Sequence, residues 1–178
     1  MTLPGHMLDF IASRDHRLMR RVHRWRPPRW FRLWMILATR GGDGWLWYGL
    51  SALVIVFGGS TRYEAVTAAW TACSAGAMIF LILKKTTGRK RPNALVPHCW
   101  ATLLPPDQFS FPSGHTITAF AFTMAVGSFY PYLMGVLLFC ALSVATSRIV
   151  LGMHFLSDVV VGALLGAGLG YVGFVIFA

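Results

Sequence analysis

Apolar and polar positions along this chain fall into blocks that read as helices. From Met7 to Trp25, arginines and apolar residues alternate at helical spacing. Leu8, Ile11, Ala12, Leu18, Met19, Val22 and Trp25 fall on one face, with Arg14, Arg17, Arg21 and Arg24 on another. That pattern predicts an amphipathic helix lying in a membrane interface, ended by Pro27-Pro28. Segment 44–59 is uncharged and, with its less polar flank from Trp34, predicts a first transmembrane span; Arg40 and Asp43 then sit near the interface. Segment 65–83 is a second uncharged run, close to the roughly 20 residues a bilayer crossing needs.

The stretch 84–107 breaks the pattern. It opens with Lys84, Lys85, Arg89, Lys90 and Arg91 and continues rich in proline, which predicts an ordered loop outside the hydrocarbon. No Lys, Arg, Asp or Glu occurs from Gln108 to Ser147. Such a run is too long for one crossing, and Tyr130-Pro131-Tyr132 divides it into a third and a fourth span. A polar break covers Arg148 to Asp158, and a last span covers 159–178. In that span Gly162, Gly166 and Gly170 recur every four residues, with Gly173 beyond, a stripe that favours close helix–helix packing.

The expected fold is therefore all-α: a polytopic transmembrane bundle of five spans plus an N-terminal amphipathic interfacial helix, six helices in all. It forms a single domain over 1–178, with 1–32 as interfacial helix and linker and 33–178 as the transmembrane core. A sixth crossing through residues 8–32 is disfavoured, because eight arginines in that window would each be costly in lipid. The chain shows neither an internal repeat nor a low-complexity segment. Met1 to Phe10 lacks the apolar core of a cleavable signal.

Composition agrees with a membrane protein. Of 178 residues, 56% are hydrophobic and only 12% charged, against about 25% charged in soluble domains. The net charge is +10, from 16 Lys and Arg against 6 Asp and Glu. On so apolar a chain this points to anionic lipid head groups or phosphate rather than nucleic acid. Cys73, Cys99 and Cys140 are odd in number, and two lie in apolar runs, which argues against a disulfide framework.

These spans bring three polar segments to one membrane face, so that Lys84, Arg91, Ser113, His115, Arg148, His154 and Asp158 can converge. Ionisable residues at such places are functional candidates. His154 and Asp158 share a helix face four residues apart, where a carboxylate can fix the imidazole tautomer and sharpen its free nitrogen as nucleophile or base. The same pair also fits a polar helix start. Pro112-Ser113-Gly114-His115 opens the third span. Ser113 suits an N-cap, Gly114 allows close approach to the backbone, and the helix N-terminus can hold an anion. His115 is then either a general acid aimed at that anion or an interface histidine. Arg148 ends the long uncharged run and would be expensive to bury unpartnered. Arginine suits bidentate phosphate binding and lysine a point charge. Lys85, Arg89 and Lys90 read as a solvated or head-group-facing patch. Arg40-Gly41-Gly42-Asp43-Gly44 reads as a plain helix-start turn, and Trp25, Trp30, Trp34, Trp45 and Trp47 as an anchoring aromatic belt.

Together these residues form a three-part signature: Lys84-x6-Arg91-Pro92, then Pro112-Ser113-Gly114-His115, then Ser147-Arg148-x5-His154-x3-Asp158. It resembles the type 2 phosphatidic acid phosphatase family, whose superfamily includes vanadium haloperoxidases and glucose-6-phosphatase. The family's usual membrane form has three spans before the first motif, where this chain shows two plus an interfacial helix. The resemblance implies His154 as nucleophile, Asp158 as its orienting partner and His115 as general acid for the leaving alkoxide. It implies that Lys84, Arg91, Ser113, the Gly114 backbone N–H and Arg148 hold the phosphate oxygens, with no metal and no cofactor. It further implies a phosphohistidine intermediate and a phosphorylated membrane lipid as partner. Phosphatidylglycerophosphate, phosphatidic acid, polyprenyl phosphates and pyrophosphates and lipid A phosphates are the candidates in related bacterial enzymes. The setting is then a bacterial inner membrane. All Lys and Arg except Arg62 lie on the active-site face, which by the positive-inside rule predicts a cytoplasmic site. Competing readings are a metal-dependent hydrolase using His115, His154 and Asp158 as ligands, a non-catalytic protein that binds anionic lipid, and a haloperoxidase. The surrounding cations argue against the first, since they repel a metal and attract an anion.

Overall fold

The computed structural model describes residues 5–92 and 109–178. The Pro-rich part of the expected loop, including Cys99, lies outside the described residues. Among those described, regular structure is helical apart from one isolated antiparallel bridge between Lys90 and Phe109. The helices are α1 (Gly5–Arg24), α2 (Arg29–Gly42), α3 (Trp45–Phe57), α4 (Arg62–Thr87), α5 (Gly114–Phe129), α6 (Met134–Val150) and α7 (Leu156–Phe177).

Local sequence explains most of the breaks. Pro27-Pro28 lacks the N–H groups that would continue α1, and Pro28 leads directly into α2. α4 runs 26 residues without proline and stops at Gly88, whose φ of +57° is the left-handed end that glycine adopts without penalty. Tyr130-Pro131 separates α5 from α6 through a short 3-10 turn at Pro131–Leu133.

α5 is the central helix, and α4, α6 and α7 pack around it. Its buried side includes Thr116, Ile117, Ala119, Ala121, Phe122 and Val126. α4 offers it an alanine face of Ala65, Ala68, Ala69 and Ala72. α7 meets it through the glycine stripe. A Cβ added at Gly162 would lie 2.9 Å from the Ser113 carbonyl oxygen, and at Gly166 and Gly170 it would collide with the carbonyls of Ile117 and Ala121. Gly173 packs in the same way against Ala68 of α4. Large apolar side chains stay exposed on the outer faces of α3, α4, α6 and α7, as with Phe57, Ile82, Phe139 and Leu164. Such a belt is stable only against lipid or a partner.

α4 with its preceding turn (Gly59–Thr87), α6 with its turn (Pro131–Val150), and α7 are long and apolar enough to cross a membrane. α3 is apolar but only 13 residues long, about 20 Å against a hydrocarbon core of roughly 30 Å.

Four expectations change. The stretch from Trp34 to residue 59 is two helices, not one. The chain turns sharply at Asp43-Gly44, where Gly44 takes φ +132°, and α2 crosses α6 with Trp34 stacked on Phe139 at 5.7 Å. Residues 29–32 belong to α2 rather than to a linker. Lys84 and Lys85 lie in the last turn of α4, not in a loop. Trp47 is fully buried against Phe122 instead of joining an aromatic belt, whereas Trp25, Trp30 and Trp45 are exposed.

Candidate active site

Helix ends from several elements meet at one end of the bundle around a cavity of about 410 Å³. Its wall includes Lys84 from the end of α4, Arg91 beyond it, Gly114 and His115 from the start of α5, Arg148 from the end of α6, and His154 from the turn before α7. Segments more than sixty residues apart thus share one space. Its other wall is apolar and formed by Trp47, Tyr48, Trp70, Ala77 and Phe80.

His154 is held from both sides. Its Nδ1 lies 2.6 Å from the Ser110 carbonyl oxygen, which can only accept, so Nδ1 carries the proton. Nε2 then presents its lone pair, which receives the Arg91 Nη1–H at 3.0 Å. The same Nη1 reaches the Met153 carbonyl at 3.0 Å. Burial, reinforced by Arg148 and Arg91, outweighs the opposing pull of Asp158 and pushes the imidazole down to a pKa of about 4. The ring is therefore neutral at physiological pH, with its basic nitrogen facing cations.

Asp158 stands further from the imidazole than the motif implies. Its Oδ2 is 3.7 Å from Nδ1, beyond hydrogen-bond range, and accepts instead from the Phe155 backbone N–H at 2.8 Å. Its Oδ1 pairs with Arg89 at 2.7 Å. The carboxylate thus caps α7 while the Ser110 carbonyl sets the tautomer of His154.

Ser113 occupies the N-cap position of α5, but its hydroxyl makes no cap hydrogen bond; it accepts from Thr116 Oγ1 at 2.8 Å. Its backbone N–H donates to the Asp158 carbonyl at 3.1 Å, which fastens the start of α5 to the start of α7. Ser113 is fully buried and stands behind the cavity wall rather than on it. Gly114 does line the cavity, at the start of a helix whose first-turn N–H groups favour an anion.

Arg148 is buried and donates through Nη1 to Thr39 Oγ1 of α2 at 2.5 Å. Lys84 places its ammonium 4.9 Å from the centre of the Phe80 ring. His115 Nε2 lies 2.7 Å from Asp43 Oδ1 in the α2–α3 turn.

Three contributors escaped the sequence reading. Asp43, read as part of a plain turn, lines the cavity and holds His115. Arg89, read as solvated, bridges Asp158 and Asp15 of α1. Ser110 holds the imidazole through its main chain. A signal existed for the acids: with 6 of them against 16 cations, each carboxylate has many potential partners. Asp15 also sits three residues from Ala12 and four from Met19, on the apolar side of a basic helix. Among the described residues, no three His, Cys, Asp or Glu side chains cluster as metal ligands would. His115, Asp43, His154 and Asp158 are engaged in two separate groups.

An all-helical bundle with helices long and apolar enough to cross a membrane, and at one end a cavity walled by cations and two histidines, is the arrangement the three-part sequence signature leads one to expect. Comparison with known proteins agrees. The PAP2 superfamily model matches residues 64–178, and the chain belongs to that superfamily. It is 27% identical over 163 residues to a lipid A 1-phosphatase of Rhizobium johnstonii, covering 80% of this chain and 66% of that protein. The chain thus spans slightly less than two thirds of that relative. It is 30% identical over 140 residues to a decaprenylphosphoryl-5-phosphoribose phosphatase of Mycobacterium tuberculosis, covering 76% of this chain and 77% of that one. The crystal structure of Aquifex aeolicus LpxE superposes with a TM-score of 0.73 at 26% identity, covering 88% and 92% of the two chains. A PAP2-type phosphatidylglycerolphosphate phosphatase from Bacillus subtilis shares the fold at TM-score 0.65 and 22% identity, covering 94% and 84%.

Proposed function

We propose that this protein is a metal-independent lipid phosphate phosphatase that works through a phosphohistidine. The substrate is a membrane lipid carrying a phosphomonoester or pyrophosphate. The observation that carries the reading is the neutral imidazole of His154, with Nε2 facing a cavity lined by Lys84, Arg91 and Arg148.

In this reading the phosphoryl group enters between His154 and the cations. Arg91 Nη1 transfers its hydrogen bond from Nε2 to a phosphate oxygen, and Lys84, Arg148 and the Gly114 N–H take the others. Ser113 supports the turn from behind, and Asp158 supports the start of α7. Phosphoryl transfer depends on positioning and on neutralising charge, which fixed cations and a helix N-terminus supply. Nε2 forms a bond to phosphorus while the bond to the leaving oxygen breaks. The electron pair goes to that oxygen, which takes a proton from His115. His115, now neutral, removes a proton from water as its oxygen attacks phosphorus. The N–P bond breaks, inorganic phosphate leaves, and His115 is protonated again. Asp43 holds Nε2 of His115, leaving the other ring nitrogen for this proton traffic.

The apolar wall of Tyr48, Trp70 and Phe80 suits the first carbons of a lipid whose tails remain in the bilayer. We place α3, α4, α5, α6 and α7 across the membrane, the short α3 by local thinning of the bilayer, with α1 at the interface and the site on the cytoplasmic face. The cations around His154 and His115 disfavour a divalent metal between them.

The test is phosphate release from a panel of lipid phosphates by purified protein in detergent, with and without excess chelator. Wild type should hydrolyse at least one lipid, chelator should leave that rate unchanged, and His154→Ala should abolish it. Near-normal turnover by folded His154→Ala rules out the nucleophile, and a loss under chelation that zinc restores favours a metal enzyme.

A further inference from the structure

Helix α1 lies outside the family match at 64–178, yet it is wired to the candidate nucleophile. Asp15 is only 4% exposed although it belongs to a strongly basic helix. Its Oδ1 accepts the Ser157 backbone N–H at 3.2 Å, and its Oδ2 accepts the Ser157 hydroxyl at 2.5 Å. The same Oδ2 pairs with Arg89 Nη2 at 2.8 Å. It therefore adds a second carboxylate to the N-terminus of α7, beside Asp158, where the helix dipole favours negative charge.

Arg89 is the hub of this network. Its Nη1 donates to Asp158 Oδ1 and to Ser157 Oγ, both at 2.7 Å. Its guanidinium lies 4.3 Å from the centre of the Phe155 ring, which His16 of α1 meets edge-on at 5.1 Å. Its own carbonyl accepts the Ser110 N–H at 2.7 Å, and the Ser110 carbonyl is the group that holds His154 Nδ1. One residue thus supports the imidazole by two routes: through Asp158 at the start of α7 and through Ser110 behind the ring.

The Arg89 side chain is 26% exposed, so solvent competes for it. Asp158 has no exposure and needs its partners in place. Asp15 is what fixes the second arm of the guanidinium fork. Without it, the Arg89 side chain can turn toward water, and Asp158 loses its cationic partner.

We propose that Asp15 is a positioning residue for His154 and that α1 is the arm that delivers it. The other side of the arm carries Arg14, Arg17, Arg20, Arg21 and Arg24, all exposed, which fit an anionic lipid surface. The proposal rests on the reading of His154 as nucleophile. α1 thereby serves as part of the catalytic support as well as an anchor.

The test uses the full-length enzyme in detergent with a lipid phosphate that the wild type turns over. Asp15→Asn should lower kcat at least tenfold while KM stays within twofold and the unfolding temperature within a few degrees. Asp15→Glu, which restores the carboxylate, should recover part of the loss. Arg89→Lys keeps the charge but cannot bridge two carboxylates, and it should lose kcat in the same way, which serves if Asp15→Asn does not fold. A kcat within twofold of wild type in either Asp15→Asn or Arg89→Lys overturns the proposal. So does a loss that tracks KM and unfolding temperature and is not recovered by Asp15→Glu. Failure of the wild type on every lipid would instead overturn the phosphatase reading itself.

Discussion

At the scale of single residues, the roles proposed for the two histidines rest on what holds them. His154 donates to a carbonyl and keeps its outward nitrogen bare of a proton, as a nucleophile requires. His115 is held by a carboxylate, as a group that must carry and return a proton requires. The second assignment gives a prediction with an internal control. Asp43→Asn should slow hydrolysis of an alkyl lipid phosphate by roughly tenfold or more, within the range usual for general acid catalysis. It should slow a p-nitrophenyl phosphate ester far less, because that leaving group departs without protonation. Equal losses on both substrates would mean that Asp43 shapes binding rather than proton transfer. That His154, His115, Arg91, Lys84 and Arg148 share one cavity was legible in the sequence, since each sits inside a spaced motif. Asp43, Arg89 and Asp15 were not. Each owes its role to a partner brought to it by folding: Asp43 meets a residue 72 positions away, and Arg89 joins acids from α1 and α7. Composition and helical spacing hint that the acids are engaged, but local pattern does not say with which partner.

At the scale of elements, the site depends on how closely α7 can approach α5, because Asp158 fastens Ser113 at the crossing of their first turns. The glycine stripe permits that approach, and here the sequence reading and the structure coincide. Gly166→Ala puts a methyl group against the Ile117 carbonyl and 3.0 Å from the Ala121 nitrogen. Overpacking of this kind costs about 1–3 kcal/mol, so the unfolding temperature in detergent should drop. Gly168, two residues along the same helix, has nothing within 4 Å. Gly168→Ala should be neutral, or stabilise by up to about 1 kcal/mol through helix propensity. Similar behaviour of the two variants would show that the stripe is not a packing surface. The break between α2 and α3 was harder to read, because the run 33–38 before it is apolar as well. A turn at Asp43-Gly44 that aims a carboxylate at His115 looks the same in sequence as the start of a membrane helix.

At the scale of the whole molecule, the distribution of charge bears on orientation. The arginines of α1 lie at the end of the bundle that holds the cavity, and Arg62 opens α4 at the other end. The proposed phosphate binding accounts for Lys84, Arg91 and Arg148, but not for the nine arginines between Arg14 and Arg40. Asp15 of α1 docks against Ser157 and Arg89, so the five arginines of α1 are held at the end of the bundle where α7 starts, whatever the number of crossings before α4. Retention of positive segments in the cytoplasm would then place the site inside the cell. α7 leaves the site at Leu156 and runs 22 residues to Phe177, about 33 Å and thus enough to cross the hydrocarbon. Its end therefore reports the face opposite the cavity. A cysteine added after Ala178 should react with a membrane-impermeant maleimide in intact cells, above the background of the parent chain with its natural cysteines. Protection of that cysteine in intact cells, with labelling only after permeabilisation, would put the cavity on the outer surface. The arginine cluster would then have to be held there by the fold and by anionic lipid, against the bias that normally keeps it inside.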